Sequence, residues 1–236
     1  MSQQGLRYEC PAMCGRVIQT SNPEAIRKLF GAIAPAPNAP PRYNGAPSQD
    51  FMIVRRNPDS GERTLEILRW GLIPHWVKDL AGGRKPINAR AETITSSPMF
   101  KSAYAKRRCL LPIDGFFEWK TIQGQKIKQP YAIAMKNRLP FALAGICENW
   151  TRPNTGEEIR TFAVITCEAN SLVGQIHNRM PVIIASADYD PWLGSETDPR
   201  RLMRPFDSEQ MITWPISTRV NNPKNDDADL LKPWKI

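Results

Sequence analysis

A chain of 236 residues with 32 Lys and Arg against 23 Asp and Glu has a formal charge of +9, and 41% of it is hydrophobic. That length holds one domain, or two at most, with a sizeable core. The longest apolar run, residues 141–147, is far too short for a bilayer span, and the polar residues 1–12 have no apolar stretch of the kind a secretory signal needs, so a membrane protein is excluded and a reducing, cytoplasmic setting is expected. Five cysteines, Cys10, Cys14, Cys109, Cys147 and Cys167, are odd in number and show no C-x-x-C pair, which argues against a disulfide scaffold or a zinc site. Cys109, Cys147 and Cys167 lie in or beside apolar runs and read as core residues. The basic excess points to an anionic partner, nucleic acid first.

In chain order, Asn22-Pro23-Glu24 supplies an N-cap, a proline at the first helical position and an acid in the first turn. Ile26, Leu29 and Phe30 give that helix its apolar face, and Gly31 stops it. Residues 34–47 hold five of the 22 prolines and read as a long irregular loop. Strand patterns follow at 51–55, 64–68, 109–113, 116–120, 130–135, 141–150, 160–166 and 181–185, several joined by short turns. Ser97-Pro98 opens a short helix, and 188–193 and 208–213 read as further helical segments. No helix falls regularly between successive strands, as a parallel sheet requires. The expectation is a single α+β domain with a mostly antiparallel, barrel-like β core and peripheral short helices.

Polar residues that interrupt this apolar frame are the candidates for chemistry. His177 precedes an apolar strand in His177-Asn178-Arg179-Met180-Pro181, where it either projects into a cleft or simply faces solvent. Glu118 sits among aromatics in Asp114-Gly115-Phe116-Phe117-Glu118-Trp119. A carboxyl there is desolvated, with a raised pKa, unless it alternates outward to the surface. An extended 86–93 segment would put Asn88, Arg90 and Glu92 on one face.

Met13-Cys14-Gly15-Arg16, Arg42-Tyr43-Asn44-Gly45-Ala46-Pro47, Trp70-Gly71-Leu72-Ile73-Pro74, Asn88-Ala89-Arg90-Ala91-Glu92, the Asp114–Trp119 hexapeptide and His177-Asn178-Arg179-Met180-Pro181 occur in that order. Together they resemble the SOS-response-associated peptidase (SRAP) family from Met13 to about Asn225. The resemblance implies a sensor of abasic sites in single-stranded DNA that crosslinks through a cysteine following the initiator methionine. It implies Cys14 as nucleophile, Asn88 as the residue orienting the sugar, Glu118 as acid/base and His177 as the partner of the sugar hydroxyl. For DNA, Arg16, Arg90 and Arg179 are the phosphate contacts, Asn44 and Pro47 the backbone contacts near the lesion, and Trp70, with Trp76 and Trp119 behind it, the stacking residues. No cofactor or metal is expected, and the protein is expected to be a monomer, cytoplasmic and nucleoid-associated when bound to DNA.

An N-terminal cysteine is a 1,2-aminothiol: its amine condenses with the abasic aldehyde and its thiol closes a thiazolidine, a ring that resists hydrolysis and strand cleavage. Residues 1–12 precede the motif, however, and an amide at Cys14 cannot form an imine. The reading adopted is a 1–12 extension absent or removed in the active form, with the SRAP domain spanning 13–236 and a start at Met13 favoured over self-cleavage or a numbering choice. Gly45 also departs from the family's branched aliphatic residue, which bears on loop rigidity. Self-processing peptidase and abasic-site lyase activities are secondary expectations. A cysteine peptidase acting on proteins and a noncatalytic nucleic-acid-binding domain stand as alternatives.

Overall fold

A computed structural model describes residues 14–78, 85–194 and 198–235, so the 1–12 extension, Cys10 and Met13 lie outside the described residues. The strands are β1 (Val17–Gln19), β2 (Arg42–Gly45), β3 (Asp50–Arg56), β4 (Arg63–Trp70), β5 (Asn88–Arg90), β6 (Arg108–Ile113), β7 (Gly115–Lys120) and β8 (Gln129–Met135). β9 (Phe141–Thr151), β10 (Glu158–Glu168), β11 (Arg179–Pro181), β12 (Ile183–Ile184) and β13 (Met211–Pro215) complete them. Three short α-helices, α1 (Pro23–Leu29), α2 (Lys101–Lys106) and α3 (Tyr189–Leu193), lie at the periphery. No helix among the described residues is long and apolar enough to cross a membrane.

Five strands close on themselves. β4 pairs β3, β3 pairs β6, β6 pairs β9 and β9 pairs β10, all antiparallel. The ring shuts where β10 meets β4 in parallel, Phe162 beside Trp70. Closure removes the open edges that an isolated sheet would expose. Side chains alternate across each strand: Arg108 of β6 points outward, its guanidinium bonded to the carbonyls of Tyr104 and Trp192, so Cys109 and Leu111 face inward. Residues opposite them share that face, which puts Phe51, Ile53 and Arg55 of β3 inside. At one end of the interior Phe51, Trp70 and Phe162 meet ring to ring at centroid distances of 5.7–6.1 Å. At the other, Glu66 accepts from Arg55 at 2.9 Å and from Arg160 at 2.7 Å, a polar plug.

The second sheet runs β13-β8-β7-β1-β2, antiparallel throughout. Its far face packs Ile18, Phe117, Ala132, Ile216, Val220 and Leu230 into a core of their own. Gln19, 4% exposed, joins the two sheets: its Nε2 donates to the carbonyls of Met52 (3.1 Å) and Pro112 (2.7 Å), and its Oε1 accepts the Met52 N–H at 2.9 Å.

α1 forms as its sequence dictates. Asn22 Oδ1 accepts the Glu24 N–H at 2.9 Å, and Gly31 ends the helix at φ +64°. Elsewhere the chain departs from the pattern. β2 arises inside the proline-rich 34–47 segment, where Asp226 Oδ1 takes the N–H groups of Tyr43 and Asn44. The Ser97-Pro98 signal gives turns, and the helix itself begins at Lys101. Residues 208–213 are a 3-10 turn followed by β13, because pairing with β8 overrides local preference. All four described cysteines are free and buried.

Gln19→Leu keeps the volume but strands one buried N–H and two carbonyls, so urea unfolding should show a loss of about 2–4 kcal/mol. An unchanged midpoint would mean that the two sheets do not depend on this side chain.

Candidate active site

Cys14 lies just before β1, 1% exposed and packed into the main core. The Phe117 N–H donates to the Arg16 carbonyl at 3.1 Å, which carries the β1–β7 pairing on toward Cys14 and brings it beside Glu118. Alternation along β7 sends Phe117 and Trp119 to the second core and turns Phe116 and Glu118 toward the main one. Asn88 opens β5, which takes over from β4 along β10: Asn88 pairs Val164, two residues beyond the Phe162–Trp70 pair. Its Nδ2 donates to the Cys14 carbonyl at 3.1 Å. Three segments far apart in sequence thus converge at the Phe51–Trp70–Phe162 end of the barrel.

Electrostatics there are unusual. Glu118 is 3% exposed, and burial pushes its carboxyl up to about 8 against the pull of the Trp119 and Cys14 N–H groups and of Lys128. Burial first, and then the Glu118 charge, push the Cys14 thiol well above the usual thiol range. Both groups therefore hold their protons at neutral pH. Glu118 Oε1 and Asn88 Oδ1 are buried without a hydrogen-bond partner. An unsatisfied buried polar atom costs about 1–3 kcal/mol, so a protonated carboxyl oxygen and an amide oxygen left open around one thiol mark a place built to receive a ligand that both accepts and donates.

The other sequence candidates divide. His177 Nδ1 accepts the Arg179 N–H at 3.1 Å, which leaves Nε2 as the donor of the neutral ring. Arg179 sits opposite Glu168 of β10 and reaches to the Thr166 carbonyl and, bidentately, to Glu92, two residues past β5. His177, Arg179, Glu92 and exposed Arg90 therefore gather around the end of β10, with Asn88 two residues from Arg90 on the same face of β5. Glu92 lies past β5 in the following turn, so the extended 86–93 segment is shorter than expected. Pro47 is half-buried in the loop after β2.

Three assignments need correction. Trp70 is 1% exposed, stacked on Phe162 and hydrogen-bonded through Nε1 to the Ile87 carbonyl at 2.9 Å, so it cannot stack on a base. The apolar neighbours that follow it were the signal for burial. Asn44 is fully buried, and its Nδ2 faces the carbonyls of Val220, Asn222 and Asn225 within 3.2 Å, a structural role rather than a DNA contact. Arg16 donates to Asn44 Oδ1 at 2.8 Å and to the carbonyls of Val220 (2.7 Å) and Asn221 (3.2 Å), so much of its donor capacity is used within the protein. Trp119 is partly buried, under Arg16 at 6.0 Å and bonded to Asn221. Trp76, by contrast, is 56% exposed. Its segment is pinned by Ile73 N–H to Thr161 Oγ1 (2.9 Å), His75 to Glu148 (3.4 Å) and Trp150 Nε1 to the Val77 carbonyl (2.6 Å). Asn221, the contact of Trp119, carried no local signal, whereas Glu92, the contact of Arg179, belongs to the 86–93 face read from the sequence. Among the described residues no three His, Cys, Asp or Glu side chains converge to hold a metal ion.

Comparison with known proteins identifies the family. The family model described as SOS response associated peptidase (SRAP) matches residues 13–223. Abasic site processing protein YoaM of Bacillus subtilis is 40% identical over 225 residues, covering 93% of this chain and 97% of its own. YoqW of the same organism is 38% identical over 226 residues, covering 93% and 99%, and HMCES of Gallus gallus is 32% identical over 258 residues, covering 98% and 75%. A crystal structure of a protein from Bacteroides thetaiotaomicron superposes with a TM-score of 0.84 at 27% identity, over 94% of this chain and all of that one. The chain belongs to the SOS response associated peptidase (SRAP) family.

Proposed function

We propose that this protein processes abasic sites in DNA by binding a single strand and joining Cys14 covalently to the lesion's deoxyribose. The observation that carries this reading is the pair of unpartnered buried oxygens, Glu118 Oε1 and Asn88 Oδ1, set around a buried thiol. The names of the B. subtilis and Gallus gallus relatives support the same substrate.

The chemistry follows from the proton inventory. With the residues before Cys14 removed, its α-amine, with an ordinary pKa of about 7.7–8.0, attacks C1′ of the open-chain sugar. The carbonyl oxygen leaves as one water and a C=N bond forms. The thiol sulfur then adds to that carbon and its proton passes to nitrogen, closing the five-membered ring. Glu118, protonated below about 8, gives a proton to the ring oxygen as the sugar opens and takes one back as the adduct closes. Asn88 fixes the Cys14 backbone through its carbonyl and offers Oδ1 to a sugar hydroxyl. His177 faces the released hydroxyl with Nε2. Arg90 clamps the adjoining phosphate; Arg179 does so only by exchanging Glu92. The stacking role falls to Trp76, exposed on its pinned segment. The protein acts as a monomer in the cytoplasm, joining the nucleoid with its DNA, and needs no cofactor. Removal of residues 1–13, by a start at Met13 followed by methionine excision or by self-cleavage, is part of the proposal. Release of the adduct and lyase action run through the same Glu118 and His177.

Purified protein mixed with single-stranded DNA bearing one abasic site should give a heat-stable band in SDS that Cys14→Ala abolishes. Salt-sensitive binding with no covalent product contradicts the proposal, and turnover of peptide substrates in trans points to a peptidase instead.

Glu118 also sets a pH dependence of stability. Its folded pKa, raised to about 8 from 4.5, means the native state binds the extra proton between those values. Its stabilising share is whole below about pH 4.5 and is lost as pH rises through 8. Unfolding free energy should fall by on the order of 3 kcal/mol between pH 5 and 8, and Glu118→Gln should flatten that slope while slowing crosslinking. A parallel slope in the variant would place the titration elsewhere.

A further inference from the structure

The nucleophile lies just before β1 and the acid/base on β7, and one short turn ties both segments down. Arg16, two residues from Cys14, donates to the carbonyls of Val220 and Asn221 at 2.7 and 3.2 Å. Trp119, the neighbour of Glu118, donates its indole N–H to Asn221 Oδ1 at 2.7 Å. The Arg16 guanidinium lies 6.0 Å from the Trp119 ring, so the two anchors also touch each other. The turn itself is held from below: Asn44 Nδ2 faces three of its carbonyls, Asp226 Oδ1 takes the Tyr43 and Asn44 N–H groups, and Val220 is buried in the second core. A segment about 200 residues from Cys14 in sequence thus spans β1 and β7 at the point where their side chains must meet a substrate.

We propose that residues 220–222 form a clasp that sets the spacing of Cys14 and Glu118, with Asn221 as a positioning residue acting through Trp119 and Arg16. This rests on the covalent reading of the site above. Besides the Asn88 bond to its carbonyl and its own N–H bond to Glu118, Cys14 takes its position from the bonds of its neighbours, so the alignment of its segment on β7 depends also on what fastens each nearby. Arg16 and Trp119 are the side chains of the two strands that meet the same turn. The clasp also accounts for an arginine beside the nucleophile directing its donors inward rather than to DNA phosphate.

Asn221 is exposed, so its truncation leaves the fold intact, and Asn221→Asp keeps an oxygen acceptor where Asn221→Ala has none. Three quantities separate the outcomes: affinity for lesion-free single-stranded DNA, the crosslinking rate at saturating abasic DNA, and the rate at which iodoacetamide alkylates Cys14 without DNA, read by peptide mass. Misplacing a reacting group by about 1 Å costs up to about a hundredfold in rate. For Asn221→Ala we expect about a tenfold slower crosslink at unchanged affinity, several-fold faster alkylation of the otherwise buried thiol, and recovery of both in Asn221→Asp. Parent-like crosslinking and alkylation in Asn221→Ala overturn the clasp, and so does a loss of affinity at an unchanged rate, which makes Asn221 a DNA contact. Failure of the parent to crosslink overturns the covalent reading alone, because the alkylation comparison still decides the clasp.

Discussion

A carboxyl buried against a thiol is the constraint on which the rest of this structure depends. Neither Glu118 nor Cys14 reaches bulk water: burial raises the cost of ionising each, and the Glu118 charge raises it further for the Cys14 thiol. Placing them together, with two buried oxygens unpartnered, costs stability that the surrounding cores must supply. The closed barrel supplies one dry wall through Phe51, Trp70 and Phe162, and the second sheet supplies the other through β1 and β7. The site lies where these two units meet.

That junction explains the unusual strand order. β10 is flanked in succession by β4 and then β5 on one side, and by β9 and then β11 on the other. Each handover occurs near the end of the barrel, and each newly arrived strand brings a candidate group: Asn88 and Arg90 on β5, Arg179 on β11 with His177 before it. The short strands gain little by themselves. Their value is in placement, since a side chain on a paired strand is aimed more narrowly than one on a loop.

Much of this was legible in the sequence where local chemistry is strong. The Asn22-Pro23-Glu24 cap and Gly31 stop delimit α1, and the long apolar strands β6, β9 and β10 announce themselves by composition. The Cys14, Asn88 and Glu118 motifs do come together. What stayed hidden depends on partners distant in the chain. β2 owes its form to Asp226, β13 to β8, and the burial of Asn44 to carbonyls about 180 residues away. Trp70 and Trp76 differ by six positions and have opposite fates, because one falls inside the closing seam of the barrel and the other on a segment outside it. Tryptophan composition alone does not separate them.

In the covalent reading of the site, the bond to DNA is made by both the amine and the sulfur of Cys14. Digesting the crosslink with trypsin and nuclease and sequencing the adducted peptide by tandem mass spectrometry tests it most directly. The expected peptide begins at Cys14 and is heavier by one abasic residue less one water, with amine and sulfur both blocked. An adduct on a peptide that still carries Met13, or with the amine of Cys14 unmodified, would contradict it.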